Sequence, residues 1–190
     1  MVTKTIIQPT FEPVSQAEAK DHCQIDGTEF DTQFPGWISA ARESAEAETA
    51  RALCTQTREL VLDAFPESFV LRGAPIQSVV SLKYLDAAGA EQTLDPQDYL
   101  LDKDNEPGYV VPAVGKAWPT TYPTINAVRL RYVCGYASAA EVPAAIKHWM
   151  KLVIGEFKAQ KEITGDIKMM SVPDRFCHRL LDPYRIYEAI

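Results

Sequence analysis

The chain has 190 residues, of which 46% are hydrophobic and 24% charged, a composition typical of a folded globular protein rather than a disordered or fibrous one. Its 26 acidic and 19 basic side chains give a net charge of −7, which repels phosphate backbones and disfavours tight sequence-independent DNA binding. The longest stretch without Asp, Glu, Lys or Arg, residues 117–128, contains two prolines, so no transmembrane helix is predicted. The first residues show no secretory signal, and we expect a protein that stays in the cytoplasm where it is made.

Helical patterns dominate the first third of the chain. Ser15 and Glu18 have the spacing of a capping box and predict a short helix over Gln16 to Cys23. Apolar residues at helical spacing predict a second helix from about Phe34 to Leu53, with Pro35 tolerated only in its first turn. Because this helix is rich in alanine, a neighbouring helix can approach it closely, either from the protein's own core or from another copy.

The middle of the chain carries strand patterns and turn signals. Asp86 to Gly89 is a turn signal that predicts a hairpin. Residues 112–123, with Trp118 and Tyr122, are rich in Pro, Gly and Thr and predict a long exposed loop. The stretches predicted as strands of one small antiparallel sheet are Leu60 to Ala64, Val79 to Leu85, a short run to Leu94, Tyr99 to Asp102, Tyr109 to Val111 and Ala127 to Val133.

A third helix begins at Pro143 with one apolar face, and a short helix is predicted from Pro173 to Leu181. The order of elements predicts an α+β fold in a single domain spanning residues 1–190. In this prediction residues 14–54 and 141–183 form a helical bundle, residues 55–136 form a small antiparallel sheet inserted into it, and residues 184–190 form a C-terminal tail.

No arrangement of residues predicts catalysis, a metal site or a cofactor. The pairs His22-Cys23 and Cys177-His178 contain zinc-ligand types, but adjacent residues on a helix diverge and cannot both reach one ion. The acidic run from Asp102 lacks the Gly and the Glu that a calcium loop needs. No disulfides are expected from four widely spaced cysteines. A hydrolase that uses His148 or His178 has almost no support in the pattern.

Two groups of residues are candidates for binding. Arg129 and Arg131 alternate outward on the last predicted strand, and they could contact DNA or another subunit, although solvation on the sheet surface or ion pairs with neighbouring acids are the simpler interpretations. Apolar and aromatic residues also follow the last helix, where they either pack on their own domain or dock onto a partner. The latter are Tyr184, Ile186, Tyr187 and Ile190.

Several motifs, in order along nearly the whole chain, resemble the head-tail connector, or adaptor, proteins of tailed bacteriophages, a family also found in prophages and gene transfer agents. One departure is Phe34-Pro35-Gly36, where family members have a helix. The matching motifs are Pro13-Val14-Ser15, Ala40-Ala41-Arg42-Glu43, Arg51-Ala52-Leu53, Pro75-Ile76-Gln77-Ser78-Val79, Lys83-Tyr84-Leu85-Asp86, Leu94-Asp95-Pro96, Gly115-Lys116 with Trp118-Pro119, Tyr132-Val133 with Gly135-Tyr136, and Val142-Pro143 with Ala145-Ile146-Lys147.

The resemblance implies a structural virion protein without enzymatic activity or a cofactor. It implies a ring, dodecameric in the virion, that lies at the neck between the portal protein and a tail-side connector or stopper protein. The ring continues the channel for passing duplex DNA without sequence-specific binding, and the C-terminal segment grips the portal. The alternative function is a DNA-contacting packaging or regulatory factor that uses the face of Arg129 and Arg131.

Overall fold

A computed structural model of the chain describes residues 2–162 and 179–187, except for the side chains of Lys161 and Glu162. The described residues divide into two compact units. The β unit contains residues 2–10 and Thr55–Gly135. The helical unit contains Phe11–Cys54 and the described part of Tyr136–Tyr187.

The described part of the β unit contains eight strands, and every pairing between them is antiparallel. A five-stranded sheet has the order β1-β2-β8-β4-β5, and a three-stranded sheet has the order β3-β7-β6. The strands are β1 (Val2–Ile7), β2 (Gln56–Leu62), β3 (Phe69–Leu71), β4 (Ile76–Leu85), β5 (Glu91–Thr93), β6 (Tyr99–Asp102), β7 (Gly108–Pro112) and β8 (Val128–Cys134).

The inner face of the five-stranded sheet forms the core of the β unit. On β8, Leu130 and Tyr132 are fully buried, whereas Arg129 between strands β2 and β4 is exposed, as the twofold alternation of a strand requires. The two sheets approach closely at Gly108 of β7, where a Cβ atom would lie 2.7 Å from Cγ1 of Ile76. A side chain at this glycine would therefore force the strands apart.

The helical unit contains the helices α1 (Gln16–His22), α2 (Phe34–Thr49) and α3 (Ala144–Glu162), and residues 179–181 are also helical. A 3-10 turn, Asp182–Tyr184, follows near the C-terminus. Helices α2 and α3 bury their apolar stripes in one core. Its buried members are Val14, Ala19, Ile25, Phe34, Ile38, Ala41, Ala45, Leu53, Val142, Ile146, Trp149, Met150, Ile154 and Leu181.

The predicted starts of α1 and α2 are confirmed, whereas the predicted start of the last helix at Pro173 lies outside the described residues. Ser15 and Glu18 form a reciprocal capping box, in which the Ser15 backbone N–H donates to the Glu18 carboxylate at 2.8 Å. Pro35 lies in the first turn of α2. This helix ends at Thr49 and not near Leu53, because Ala50 adopts a left-handed conformation with φ of 56°.

The predicted fold class, a helical bundle with a small inserted sheet, is wrong. The chain is β-rich: eight strands in two sheets accompany few helices among the described residues. Six strands overlap predicted stretches, but β1 and β3 were not predicted. Strand β1 buries neither face, so its sequence VTKTII lacks the alternation that marks a half-buried strand. Strand β3 has only three residues, too few for a periodic pattern.

Candidate interaction surfaces

The start of the predicted C-terminal tail packs on its own helical unit. Arg51 Nε donates to the Tyr184 carbonyl oxygen at 2.7 Å, and the Ile186 backbone N–H donates to the Thr49 carbonyl oxygen at 3.0 Å. The Tyr184 side chain packs against the buried core of the unit. These contacts follow from the early end of α2, since the left-handed Ala50 leaves the Thr49 carbonyl available to the returning chain.

The tail changes character at Tyr187, whose side chain is 76% exposed. Of the four predicted tail residues, Tyr184 is partly buried against the core, Ile186 is half-buried beside Thr49, and Tyr187 faces solvent. Ile190 lies outside the described residues. The exposed end of this segment is therefore the part that could reach another protein.

Arg131 contacts its cross-strand neighbour on the outer face of the five-stranded sheet. Strand β8 pairs Arg131 with Glu59 of β2, and the Arg131 guanidinium donates two hydrogen bonds to Oε1 of Glu59, at 2.8 and 3.2 Å. The ion pair between neighbouring strands is one of the arrangements that the simpler sequence interpretations expected. Much of the Arg131 charge is consequently directed to Glu59 instead of to an external ligand.

Arg129 lies one pair further along β8, opposite Lys83 of β4, and both line a small surface pocket. Lys83 Nζ lies 2.8 Å from Oε1 of Glu91, which is on β5. This hydrogen bond, and to a smaller extent the charges of Lys83 and Arg129, lower the pKa of Glu91. The structure therefore brings Arg129 and Arg131 onto one face, but acidic partners lie between the cations.

Two of the three histidines meet between helices of the helical unit. His22 of α1 and His148 of α3 meet edge to face, with ring centroids 6.1 Å apart. Burial lowers the pKa of His22, and the neighbouring Lys151 and His148 lower it further. Residues 2–162 and 179–187 contain no group of three His, Cys, Asp or Glu side chains that could hold a metal. His178 and Cys177 lie outside the described residues.

One buried thiol is chemically unsuited to nucleophilic attack. Burial, and next the negative charge of Glu12, raise the pKa of Cys54 to about 12. The thiolate, which is the nucleophilic form, is therefore scarce near neutral pH. Arg42 opposes this shift and is itself buried between acids, with Nε 2.9 Å from Glu12 and Nη1 3.3 Å from Glu46. This cluster joins the segment before α1 to helix α2.

The loop between β7 and β8 is exposed at both ends, whereas Trp118 in its middle packs against other aromatic side chains of the β unit. Trp118 stacks on Phe65 with ring centroids 5.0 Å apart and an interplanar angle of 10°, and it meets Phe69 edge to face at 5.4 Å. Val114 and Ile125, on either side of this anchor, are largely exposed. The predicted exposed loop is thus partly confirmed, but its tryptophan belongs to an aromatic cluster of the β unit.

Sequence reasoning missed a third exposed surface, the edge strand β1, whose Val2, Ile6 and Ile7 side chains point into solvent. The signal that could have revealed it is a six-residue run of β-branched residues and one lysine at positions 2–7, which has high strand propensity without a buried face. None of the helices in the described ranges is long and apolar enough to cross a membrane.

Three solved structures contain chains with the same fold. They are the neck of an empty gene transfer agent (GTA) particle computed with C6 symmetry, at a TM-score of 0.80, the virion of a native GTA particle, at 0.77, and the neck of a native GTA particle computed with C12 symmetry, at 0.72. Each is 22% identical to this chain, and the alignment covers 100% of this chain and 98% of the other. Neither a protein-family model nor a curated protein matches the chain.

This similarity extends over both units, since no part of the chain is left out of the alignment. At 22% identity it establishes a shared fold.

Proposed function

We propose that the chain is a structural component of the neck of a phage-like particle, where copies of it form a ring between the portal and the tail-side proteins. The observation that carries this proposal is the match to a chain of a GTA neck over 100% of this sequence at a TM-score of 0.80. The C6 and C12 symmetries of the two neck structures support a cyclic arrangement of copies. No bond is made or broken in this function, and no cofactor is required.

Within this function, the exposed end of the C-terminal segment is the proposed portal contact. Tyr184 and Ile186 fix the direction in which the chain leaves the helical unit, because their backbones bond to Arg51 and Thr49. Tyr187 then projects into solvent, and aromatic side chains of this kind often supply most of the binding energy in an interface. Ile190, which follows it in sequence, is assigned to the same contact.

The portal contact is tested by particle assembly with Tyr187→Ala and with a deletion of residues 187–190. We expect both variants to fold as the unmodified chain does and to fail to join heads to tails, so that purified particles lack this protein at the neck. Tyr122→Ala is the matched control, since Tyr122 is an exposed tyrosine of the β unit. Electron micrographs that show complete necks with the deletion variant would contradict the assignment.

The portal test also requires that the deletion begin after Ile186, so that Tyr184 and Ile186 are kept. A deletion from Tyr184 removes a side chain that packs against the core and the acceptor of the Arg51 hydrogen bond. Loss of assembly in that larger deletion would report unfolding as well as lost binding. Thermal unfolding of each purified variant separates the two effects, because only the larger deletion should lower the midpoint.

The geometry gives less support to the alternative function, contact with DNA through Arg129 and Arg131, than to the ring. Arg131 is paired with Glu59, and Lys83 beside Arg129 is paired with Glu91. A DNA-binding face needs several cations that are available to phosphates. Binding of duplex DNA with a steep dependence on salt concentration would favour this alternative, whereas the proposed ring needs no such affinity.

A further inference from the structure

The two edges of the five-stranded sheet differ in length and in composition. Strand β5, at one edge, has only the three polar residues Glu91–Thr93. Strand β1, at the other edge, has six residues, and its exposed fractions are 54% at Val2, 43% at Ile6 and 57% at Ile7. Natural sheets protect their edges with short strands, charges or prolines, because an open edge pairs readily with another chain. Strand β1 carries only Lys4 and a bulge near Ile6 as protection.

The hydrogen bonds between the strands of the sheet determine the direction in which the backbone N–H and C=O groups of β1 point. The Leu85 N–H donates to the Ala127 carbonyl, so Ala127 points its polar groups toward β4. The backbone groups of successive residues point alternately to the two neighbouring strands, so the backbone N–H and C=O of Leu130 in β8 point toward β2. The register pairs Leu130 with Leu60 without interruption along these two strands. The backbone groups of Leu60 therefore bond to β8, and the backbone N–H and C=O of its neighbour Glu59 point toward β1.

The same alternation fixes the orientation of β1. Glu59 pairs with Lys4, so Lys4 uses its backbone N–H and carbonyl in the bonds to β2. Thr3 and Thr5, on either side, direct their backbone groups away from the sheet. No strand in the described part of the chain pairs with them. The edge of β1 thus offers a row of backbone donors and acceptors beside exposed apolar side chains.

A second open edge lies on the same sheet, along the first part of β4. Strand β5 pairs only with Lys83–Leu85, so the residues of β4 before Leu82 have β8 on one side and no strand of the described chain on the other. Val80, in this stretch, is 55% exposed, and a bulge or irregularity between Val79 and Ser81 interrupts its pairing with β8. Each copy of the chain therefore presents two different open edges with apolar side chains.

We infer that β1 of one copy pairs with the open edge of β4 around Val80 in a neighbouring copy, so that the five-stranded sheets join edge to edge. This inference rests on the proposed ring. The occupant is a second copy because a contact between two different surfaces is heterologous and can close into a ring, as cyclic neck assemblies such as the C6 and C12 relatives require. Pairing of β1 with another β1 is isologous and stops at a dimer.

Proline scanning of the edge tests this inference. Thr3→Pro removes an outward N–H while it leaves the Lys4 ladder bonds to β2 intact, and edge strands tolerate proline in this orientation. We expect Thr3→Pro to raise the concentration for half-maximal assembly by about tenfold or more, as loss of an intermolecular hydrogen bond predicts. The matched control Thr3→Val keeps the N–H and should assemble as the unmodified chain does. Light scattering after size-exclusion chromatography measures the assembly.

The second edge is blocked by Val80→Lys, since a lysine on an edge strand opposes pairing, and Val80→Thr is its uncharged control. Each blocked variant alone should stay monomeric at concentrations where the unmodified chain assembles. An equimolar mixture of Thr3→Pro and Val80→Lys should form a one-to-one dimer, because one intact edge remains on each partner and these two edges are complementary. Thermal unfolding of each variant establishes that the monomer is folded.

Three outcomes would overturn the inference: assembly of Thr3→Pro equal to that of Thr3→Val, no complex in the mixture, or an unmodified chain that stops at a dimer. The proposed function is tested separately by labelling the chain in purified particles. A chain that occupies the neck but assembles equally well with Thr3→Pro retains the neck function and excludes the edge contact. A chain absent from the neck excludes the proposed function itself.

Discussion

The helical unit and the β unit use their apolar side chains differently. In the helical unit Phe34, Ile146 and Met150 are fully buried in one core. In the β unit the inner sheet face is equally buried, but Val2 and Val80 on the edges are more than half exposed. Apolar burial supplies most of the free energy of folding, whereas exposed apolar groups are available for association. The comparison separates the buried core, which stabilises the helical unit, from the exposed edges of the β unit, which are available for the contact proposed above.

Arginines show the same contrast. The Arg42 side chain, 8% exposed, lies among Glu12, Glu43 and Glu46 in the helical unit. The Arg131 side chain in the β unit is 42% exposed and has one acidic partner, Glu59. A buried charge depends on its partners far more than an exposed one, because water cannot replace them. Two arginines with acidic partners therefore have different energetic weight in the two units.

The largest effect is expected from Phe34→Ala. Removal of this fully buried ring should lower the free energy of unfolding by about 3 to 5 kcal/mol. Val80→Ala, the control in the β unit, should change it by less than about 0.5 kcal/mol because Val80 is exposed. Urea unfolding of dilute protein measures both. Comparable losses in the two variants would contradict the division of roles between core and edge.

An intermediate effect is expected from the arginines. Arg42→Ala leaves Glu12 and Glu46 partly buried without their cation and should cost about 3 kcal/mol, the lower end of the range for broken buried pairs since Glu12 is a third exposed. Arg131→Ala should cost less, about 1 kcal/mol, the upper end of the range for surface ion pairs, since the Arg131 side chain is 42% exposed but that of Glu59 only 12%. Urea unfolding measures both variants.

The pH dependence of Arg42→Ala shows whether its effect comes from lost charge pairing with Glu12 or from lost packing. Burial raises the pKa of Glu12 in spite of Arg42, so removal of the arginine should raise that pKa further. A folded-state pKa above the unfolded value means that Arg42→Ala should recover part of its stability as the pH falls toward the pKa of Glu12. A loss in Arg42→Ala that is independent of pH would indicate that packing, rather than charge, is the role of this side chain.

The sequence predicted the features that local physics determines. The capping box at Ser15, Pro35 in a first turn, the hairpin after Asp86 and the amphipathic α3 each depend on residues within one or two turns. Strand β1 has the β-branched composition of a strand, but no alternating pattern marks it, because it buries neither face and its pairing partner β2 lies fifty or more positions away. The fold class was wrong for the same reason, since the apolar pattern does not report how many strands share a sheet.

The candidate surfaces follow the same rule. Arg129 and Arg131 were placed correctly on one strand by alternation, but Glu59 as a partner is determined by strand order, which the sequence does not show. In the tail, the apolar pattern treats Tyr184 and Tyr187 alike. Only the return of the chain to Thr49 separates a core residue from an exposed one.

The smallest effect is expected from pH, at the contact of His22 with His148 in the helical unit. Burial, then Lys151 and His148, lower the pKa of His22, and Asp21 opposes them weakly. Since the unfolded value is 6.5, the unfolded chain binds more protons than the folded one just below that pH. The free energy of unfolding should therefore decline as the pH falls through 6.5 and level off below the folded pKa.

This decline is isolated by the difference between the unmodified chain and His22→Asn, because Glu12 and other carboxylates titrate in both proteins. We expect the unmodified chain to lose stability relative to His22→Asn between about pH 7.5 and pH 5.5, measured as urea midpoints. His22 is only partly buried, so this loss should be smaller than that of Arg42→Ala. A midpoint difference that grows in the opposite direction would mean that protonation strengthens the contact between α1 and α3, and would place a favourable acidic partner, rather than Lys151, nearest to the imidazole.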